Sequence, residues 1–124
     1  MEWLFWPAVA RGSSLDYPIT RHGNVTVVML SGDVDMYRTP DARRTILGCI
    51  TGKNTVLVDL SAVNYIDSSG VASLVEGYQA ARKQNTLFAL VGVSAMAMNV
   101  LRLANLDRVF PIHASVEDYL HSAD

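Results

Sequence analysis

This chain of 124 residues has little of what usually identifies a function class. Its single cysteine, Cys49, excludes an internal disulfide, and nothing in the cysteine content argues for secretion. Charged residues make up 18% of the chain and the net charge is -2, so no basic run marks it as a nucleic-acid-binding protein. Half of the residues are hydrophobic, which excludes a disordered chain and allows one domain with its own core.

Sequence patterns typical of catalysis and of metal binding are missing as well. His22, His113 and His121 are scattered, with no spacing typical of a metal site, and there is no glycine-rich phosphate-binding loop. No serine lies in a G-x-S-x-G turn. Only His113, just after a predicted strand, could serve as a base near a sheet edge. We therefore predict that the protein is not an enzyme and uses no cofactor or metal.

The first 16 residues contain an apolar cluster, Trp3-Leu4-Phe5-Trp6. It is far shorter than the roughly 20 apolar residues that cross a bilayer, and Glu2 does not suit the basic flank of a signal peptide. Three interpretations stay open: a segment that packs on the domain, a tag for an interface or a partner, or a start codon placed too early. We favour packing against the chain itself or a neighbour, such as a second copy in a homodimer.

Hydrophobic periodicity predicts an α/β domain with a single mixed sheet. Residues 17–20 and 25–30 form a predicted hairpin, and 56–60, 87–91 and 109–112 are predicted strands. About four helices alternate with these strands, so the later strands should be parallel and joined by right-handed crossovers.

The predicted ends of the helices rest on capping residues. Thr39, Ser94 and Ser115 are the predicted N-caps of the first, third and fourth helices, and Gly52 is expected just beyond the end of the first. Met96 and Leu103 fall outside the buried stripe of the third helix, where they are exposed, pack under the N-terminal aromatic residues or widen a partner-binding face.

The central junction carries the main functional candidate. A buried strand at 56–60 and a predicted short loop at 61–66 lead to Asp67, Ser68, Ser69 and Gly70, which begin a helix at the sheet edge where ligands usually bind. The serines could simply cap the helix, one could be a nucleophile, or one could accept a phosphate from another enzyme. A helix N-terminus tolerates an anion, and a phosphate adds nearly two negative charges beside Asp67.

These motifs resemble those of a STAS domain, and specifically of the bacterial anti-sigma factor antagonists. The resemblance covers residues 17–124 and rests on S-G-D-V-D at 31–35, V-L-V-D-L at 56–60, I-D-S-S-G-V at 66–71 and the region 101–110. Residues 1–16 have no counterpart in the family pattern. The resemblance implies a STAS fold and a cytoplasmic partner-switching protein.

In that family, the unphosphorylated antagonist binds an anti-sigma factor that is also a GHKL-type Ser/Thr kinase, which frees a sigma factor for transcription. The kinase phosphorylates the serine after the aspartate of D-S-S-G, and a PP2C-type phosphatase reverses the modification. By position, the resemblance implies Ser68 as the acceptor. The implied partner-binding acidic surface consists of Asp33, Asp35, Asp67, Ser69 and Gly70.

One alternative function stays open at this point. Subunits of membrane transporters, such as the lipid-trafficking ABC systems, share the STAS fold and act as structural or regulatory proteins. For either function we expect neither nucleic-acid binding nor membrane insertion.

Overall fold

The computed structural model describes residues 17–51 and 53–122. Helices and strands alternate along the chain after an initial hairpin. The elements are β1 (Ile19–His22), β2 (Val25–Val34), α1 (Thr39–Cys49), β3 (Thr55–Ile66), α2 (Ser68–Lys83), β4 (Phe88–Val91), α3 (Ala95–Leu103), β5 (Ile112–His113) and α4 (Val116–Ser122). The aromatic cluster at 3–6 and Gly52 lie outside the described residues, so the predictions for them stay predictions.

The strands form one mixed sheet in the order β1-β2-β3-β4-β5. β1 runs antiparallel to β2, and β2 to β5 are parallel to one another. Gly23, at a φ of +67°, gives the hairpin its tight turn because glycine adopts this left-handed conformation without strain. The predicted hairpin, the parallel strands and the four helices are thereby confirmed.

Side chains of the central strands alternate between two apolar layers, as the pleat requires. Val28, Val58 and Leu90 belong to the main core, to which α1, α2 and α3 contribute. Val27, Leu57 and Val91 point to the opposite face, where Val116, Tyr119 and Leu120 of α4 pack on them. A sheet covered on both faces explains why residues 56–58 are apolar without alternation.

The predicted short loop at 61–66 is wrong, because β3 continues through it to Ile66. Two register shifts against β2 place extra residues in β3, between its pairings with Met29 and Ser31 and between those with Gly32 and Asp33. Its buried side chains in this stretch are therefore three residues apart, at Leu60, Val63 and Ile66, instead of two. A search for strict alternation misses such a bulged strand.

Capping at the helix starts agrees with prediction at two of three sites. The Ser94 hydroxyl accepts from Ala97 N at 3.3 Å, and the Ser115 hydroxyl accepts from Asp118 N at 2.9 Å. Thr39 is not an N-cap: it is the first residue of α1, and its hydroxyl is used elsewhere. The cap position belongs to Arg38, whose side chain makes no capping hydrogen bond.

Two further details concern the bounds of the last strand and the burial of two side chains of α3. β5 comprises only Ile112–His113, later than the predicted 109–112, and Phe110 before it is buried in the core. Met96 is partly buried against the main core, whereas Leu103 is exposed.

Candidate functional site

The candidate site lies where β2 and β3 end and α2 begins. Val34 pairs with Ile66 as the last rung of the two strands, and Asp67 N donates to Val34 O at 3.4 Å. The residues that follow the two strands, Asp35 and Asp67, therefore lie side by side. The two acidic segments thus meet at the carboxyl edge of the sheet.

Asp67, and not a serine, is the N-cap of α2. Its Oδ1 accepts from Ser69 N at 2.9 Å and from Gly70 N at 3.1 Å, which satisfies two of the free amides of the first turn. Its Oδ2 accepts from Met36 N at 3.1 Å, so the same carboxylate also holds the loop between β2 and α1. Of the three interpretations of the serines, capping of this helix is wrong, because the residue before them supplies the cap.

The Ser69 hydroxyl is held inside the site. Its Oγ lies 2.6 Å from Asp67 Oδ1 and 2.9 Å from Thr39 Oγ1, and Thr39 Oγ1 lies 2.8 Å from Asp35 O. A carboxylate and a carbonyl only accept, so the two hydroxyls have two hydrogens for three contacts. The Ser69 hydroxyl donates to Asp67 and the Thr39 hydroxyl donates to Asp35 O, so one of the two also shares its hydrogen across the contact between them.

This hydrogen bond from Ser69 also tunes the neighbouring carboxyl. The pKa of Asp67 lies below its usual value, first because the Ser69 hydroxyl donates to the ionised form and then because the amides of Gly70, Ser69 and Met36 do so. Desolvation acts in the opposite direction and does not cancel these hydrogen bonds. Asp67 is therefore a fixed negative charge at the start of α2.

Ser68 has the opposite environment to Ser69. It is the first residue of α2 and is exposed. Within the part of the chain that the structure describes, its hydroxyl makes no hydrogen bond. Of the two adjacent serines, Ser68 is thus the more exposed, and its hydroxyl has no hydrogen-bond partner among the described residues.

The two acidic residues at the end of β2, Asp33 and Asp35, have different surroundings. The Asp35 carboxylate accepts from Tyr37 N at 3.0 Å and from Arg38 N at 3.2 Å, so it folds the loop that leads into α1. Asp33 is exposed on the strand beside Tyr65 of β3. Asp33 is thus the exposed carboxylate at this edge, whereas Asp35 and Asp67 are half-buried and order the backbone around them.

Gly70 is required by the close approach of α2 to the end of β2. A Cβ at this position would lie 2.6 Å from Val34 O and 2.6 Å from Ile66 Cγ1. The carbonyl belongs to the backbone and cannot rotate away as a side chain can. The glycine therefore sets how near the helix start, with Ser68 on it, sits to the acidic end of β2.

Three exposed apolar side chains lie on the segments that carry these polar groups, and none of the sequence motifs includes them. Met36 is 64% exposed, Tyr37 80% and Tyr65 45%. We call them the carboxyl-edge patch. The hydrogen bond from Met36 N to Asp67 ties this patch to the start of α2. The signal in the sequence was a Met-Tyr pair directly after an acidic strand end, where loop residues are usually polar.

Nothing in the site favours nucleophilic catalysis by Ser68. His113 lies on β5, two strands from β3 and so roughly 10 Å away across the sheet. Its ring contacts Tyr119, with centroids 5.0 Å apart. No group of His, Cys, Asp and Glu among residues 17–51 and 53–122 could hold a metal ion.

Comparison with known proteins identifies the family of the chain. The model of the STAS domain family matches residues 16–119. The anti-sigma-B factor antagonist of Listeria monocytogenes is 23% identical over 86 residues, which cover 68% of this chain and 75% of that protein.

Solved structures give the same result. An anti-sigma factor antagonist from Mycobacterium paratuberculosis is 28% identical with a TM-score of 0.77, and covers 86% of this chain and 91% of its own. An anti-sigma factor antagonist domain protein from Planctomyces limnophilus is 26% identical with a TM-score of 0.78, and covers 86% and 97%. The murine anion transporter Slc26a9 shares the fold at 17% identity and a TM-score of 0.72, over 84% of this chain and 18% of the transporter. The chain belongs to the STAS domain family.

Proposed function

We propose that this protein is a phosphorylation-switched anti-sigma factor antagonist with Ser68 as the phosphate acceptor. The observation that carries the proposal is the contrast between two neighbours: the Ser68 hydroxyl is exposed and uncommitted, whereas the Ser69 hydroxyl is bonded to Asp67 and Thr39. Several similar proteins are antagonists of anti-sigma factors by name. The partner in this proposal is an anti-sigma factor with GHKL-type Ser/Thr kinase activity, and a PP2C-type phosphatase removes the phosphate.

In the unphosphorylated state, the carboxyl-edge patch and the acidic residues beside it form the binding surface. Exposed Met36, Tyr37 and Tyr65 supply apolar area, and Asp33 and Asp67 supply negative charge for basic groups on the partner. The loop is already ordered by hydrogen bonds to Asp35 and Asp67, so little entropy is lost when a partner binds.

A phosphate on Ser68 would change this surface without unfolding the domain. The helix N-terminus tolerates an anion, since its amides and dipole favour negative charge. The same phosphate adds nearly two negative charges next to the ionised Asp67 and bulk beside Met36. The partner then meets repulsion and a steric obstacle, and the complex separates.

A transporter-attached STAS protein is the second candidate, supported by the structural similarity to the Slc26a9 domain. At 17% identity that similarity concerns the fold alone. Affinity purification from the native cell separates the two candidates, because one predicts an anti-sigma kinase and the other a permease and its ATPase.

The test of the proposed site is phosphopeptide mapping after incubation with the cognate kinase and ATP. We expect the phosphate on Ser68, binding without phosphorylation in Ser68→Ala, and weak binding in a folded Ser68→Glu. Ser68 makes no capping bond, so Ser68→Ala should change the free energy of unfolding by less than the about 1 kcal/mol typical of a cap. Phosphate on Ser69 or Thr86 would overturn the assignment, and Ser69→Ala is the matched control that should still be phosphorylated.

A further inference from the structure

A second exposed apolar group lies at the opposite edge of the sheet from Ser68. Leu87 precedes β4 and is 66% exposed, Leu103 ends α3 and is 86% exposed, and Val109 precedes β5 and is 41% exposed. Parallel strands that begin together, and helices that return to that edge, bring the three side chains to one end of the molecule. The proposed switch at the carboxyl edge makes no use of them.

An aromatic cluster packs beneath this end of the molecule. The Tyr78 ring contacts Phe110 with centroids 5.5 Å apart, and Phe88 contacts Phe110 at 6.3 Å. Phe88 and Phe110 are buried and directly follow the exposed Leu87 and Val109. The exposed Leu87 and Val109 are therefore each followed directly by an aromatic ring that is fixed in the core.

Cations surround these aliphatic residues. Arg82 and Lys83 end α2, Arg102 is in the last turn of α3, and Arg108 lies in the turn before β5. All four are exposed, and Asp107 is the only acidic residue of the segment 82–109. The basic residues are separated along the chain and form no run in the sequence; only the fold brings them to one edge.

Helix C-termini favour basic residues, and this accounts for the cations at the ends of α2 and α3. It does not account for Arg108, which is outside any helix, nor for three exposed aliphatic side chains among the cations. We call this surface the basal patch. It consists of Arg82, Lys83, Leu87, Arg102, Leu103, Arg108 and Val109.

We propose that the basal patch docks the protein on the surface of a membrane that contains anionic lipids. Clustered Lys and Arg residues attract such a surface, and aliphatic side chains beside them reach the boundary between headgroups and acyl chains. Single-stranded nucleic acid would use exposed aromatic rings for stacking, but the rings of Phe88 and Phe110 lie below the surface. Lys53 and Arg21 extend the positive charge along the same sheet edge, which suits a broad planar partner.

This docking is peripheral. In the described part of the chain, no helix has the length and hydrophobicity to cross a bilayer. With the basal patch on the membrane, the carboxyl edge and Ser68 face away from the lipid. A partner protein could then bind and phosphorylate Ser68 while the domain stays docked.

The experiment is co-sedimentation of the full chain with vesicles of phosphatidylcholine alone and with equal parts phosphatidylglycerol. We expect binding to the anionic vesicles only, weakened by added salt. The double variant Lys83→Gln, Arg108→Gln should lose about 5-fold in partition coefficient for each charge removed. Leu103→Ala should lose about 5-fold or more, since its side chain leaves the lipid boundary.

Matched controls come from outside the basal patch. Arg43→Gln removes one charge that is paired with Glu76 at 2.8 Å, and Tyr37→Ala removes an equally exposed apolar side chain from the other edge. Both should bind vesicles as the parent chain does. Absence of binding to anionic vesicles, or binding that the basal variants do not weaken, would overturn the proposal. The proposal would also be overturned if the chain bound polyglutamate or single-stranded DNA as strongly as the anionic vesicles, and if the basal variants weakened that binding.

Discussion

Ser68 and Ser69 are chemically identical neighbours, and their surroundings give them different roles. Ser69 donates to Asp67 and contacts Thr39, so it joins the starts of two helices. Ser68 lies one position earlier and is exposed. The difference arises because Asp67 adopts extended backbone as N-cap and turns its carboxylate toward the second serine. Which hydroxyl is available is therefore decided by a single capping geometry.

A prediction at the residue scale concerns Ser69→Ala. Its hydroxyl is the main reason that the pKa of Asp67 is low, so the variant should raise that pKa toward the ordinary value. A lowered folded-state pKa adds stability that is complete above the unfolded value of about 3.9 and is lost as pH falls through the lowered pKa. The variant should therefore gain less stability as pH rises through this acid range.

The measurement is an NMR titration of the Asp67 carboxyl carbon, with the free energy of unfolding followed from neutral to acid pH. Ser68→Ala is the control, because Ser68 does not bond to Asp67. An unchanged pKa of Asp67 in Ser69→Ala would show that the hydroxyl is not bonded to the carboxylate in solution.

At the scale of an element, the loop between β2 and α1 is a short, hydrogen-bonded projection. Two carboxylates hold it: Asp35 accepts from the amides of Tyr37 and Arg38, and Asp67 accepts from that of Met36. This leaves the Met36 and Tyr37 side chains exposed on an ordered backbone. The loop thus presents apolar area at a fixed position beside Ser68.

We predict that Tyr37→Ala weakens binding of the unphosphorylated protein to its anti-sigma kinase by about 10-fold or more, as is typical when an aromatic contact is truncated. The KM for phosphorylation of Ser68 should rise while kcat stays the same, since the hydroxyl itself is untouched. Leu103→Ala, equally exposed at the opposite edge, is the control for both measurements. A fall in kcat with KM unchanged would contradict a role in docking.

At the scale of the whole molecule, the sheet separates two kinds of surface. Its carboxyl edge carries Asp33, Asp67 and the exposed apolar loop, and its other edge carries the basal cations and leucines. Between them, the core is closed on both faces of the sheet, and Cys49 is buried at the end of α1. The interior therefore holds a thiol that reports on whether the domain is folded.

Burial raises the pKa of the Cys49 thiol to about 11, so little thiolate exists near neutral pH. As the one cysteine of the chain, it should react with a thiol reagent only when the domain opens. The labelling rate should rise with denaturant in step with the loss of secondary structure measured by circular dichroism. Fast labelling of the folded protein would show local opening at the end of α1.

Much of the fold was predictable because it depends on short-range patterns. The apolar run at 56–60 and the helical spacing after Gly70 placed β3 and α2, and caps at Ser94 and Ser115 placed two helix starts. The strand end and the helix start that form the candidate site could be located for the same reason, since both are local events. The extension of β3 to Ile66 was missed because bulges change its burial period.

The sequence by itself determined the class of fold, the order of its elements and the position of a hydroxyl-bearing helix start after a buried strand. Only the tertiary structure decided that Asp67 is the cap, that Ser69 is bonded while Ser68 is exposed, and that Val34 O requires a glycine at position 70. It also decided that dispersed cations such as Lys83 and Arg108 share an edge. The physical reason is that periodicity and capping act within a few residues, whereas these contacts join segments that are neighbours only after the sheet has formed.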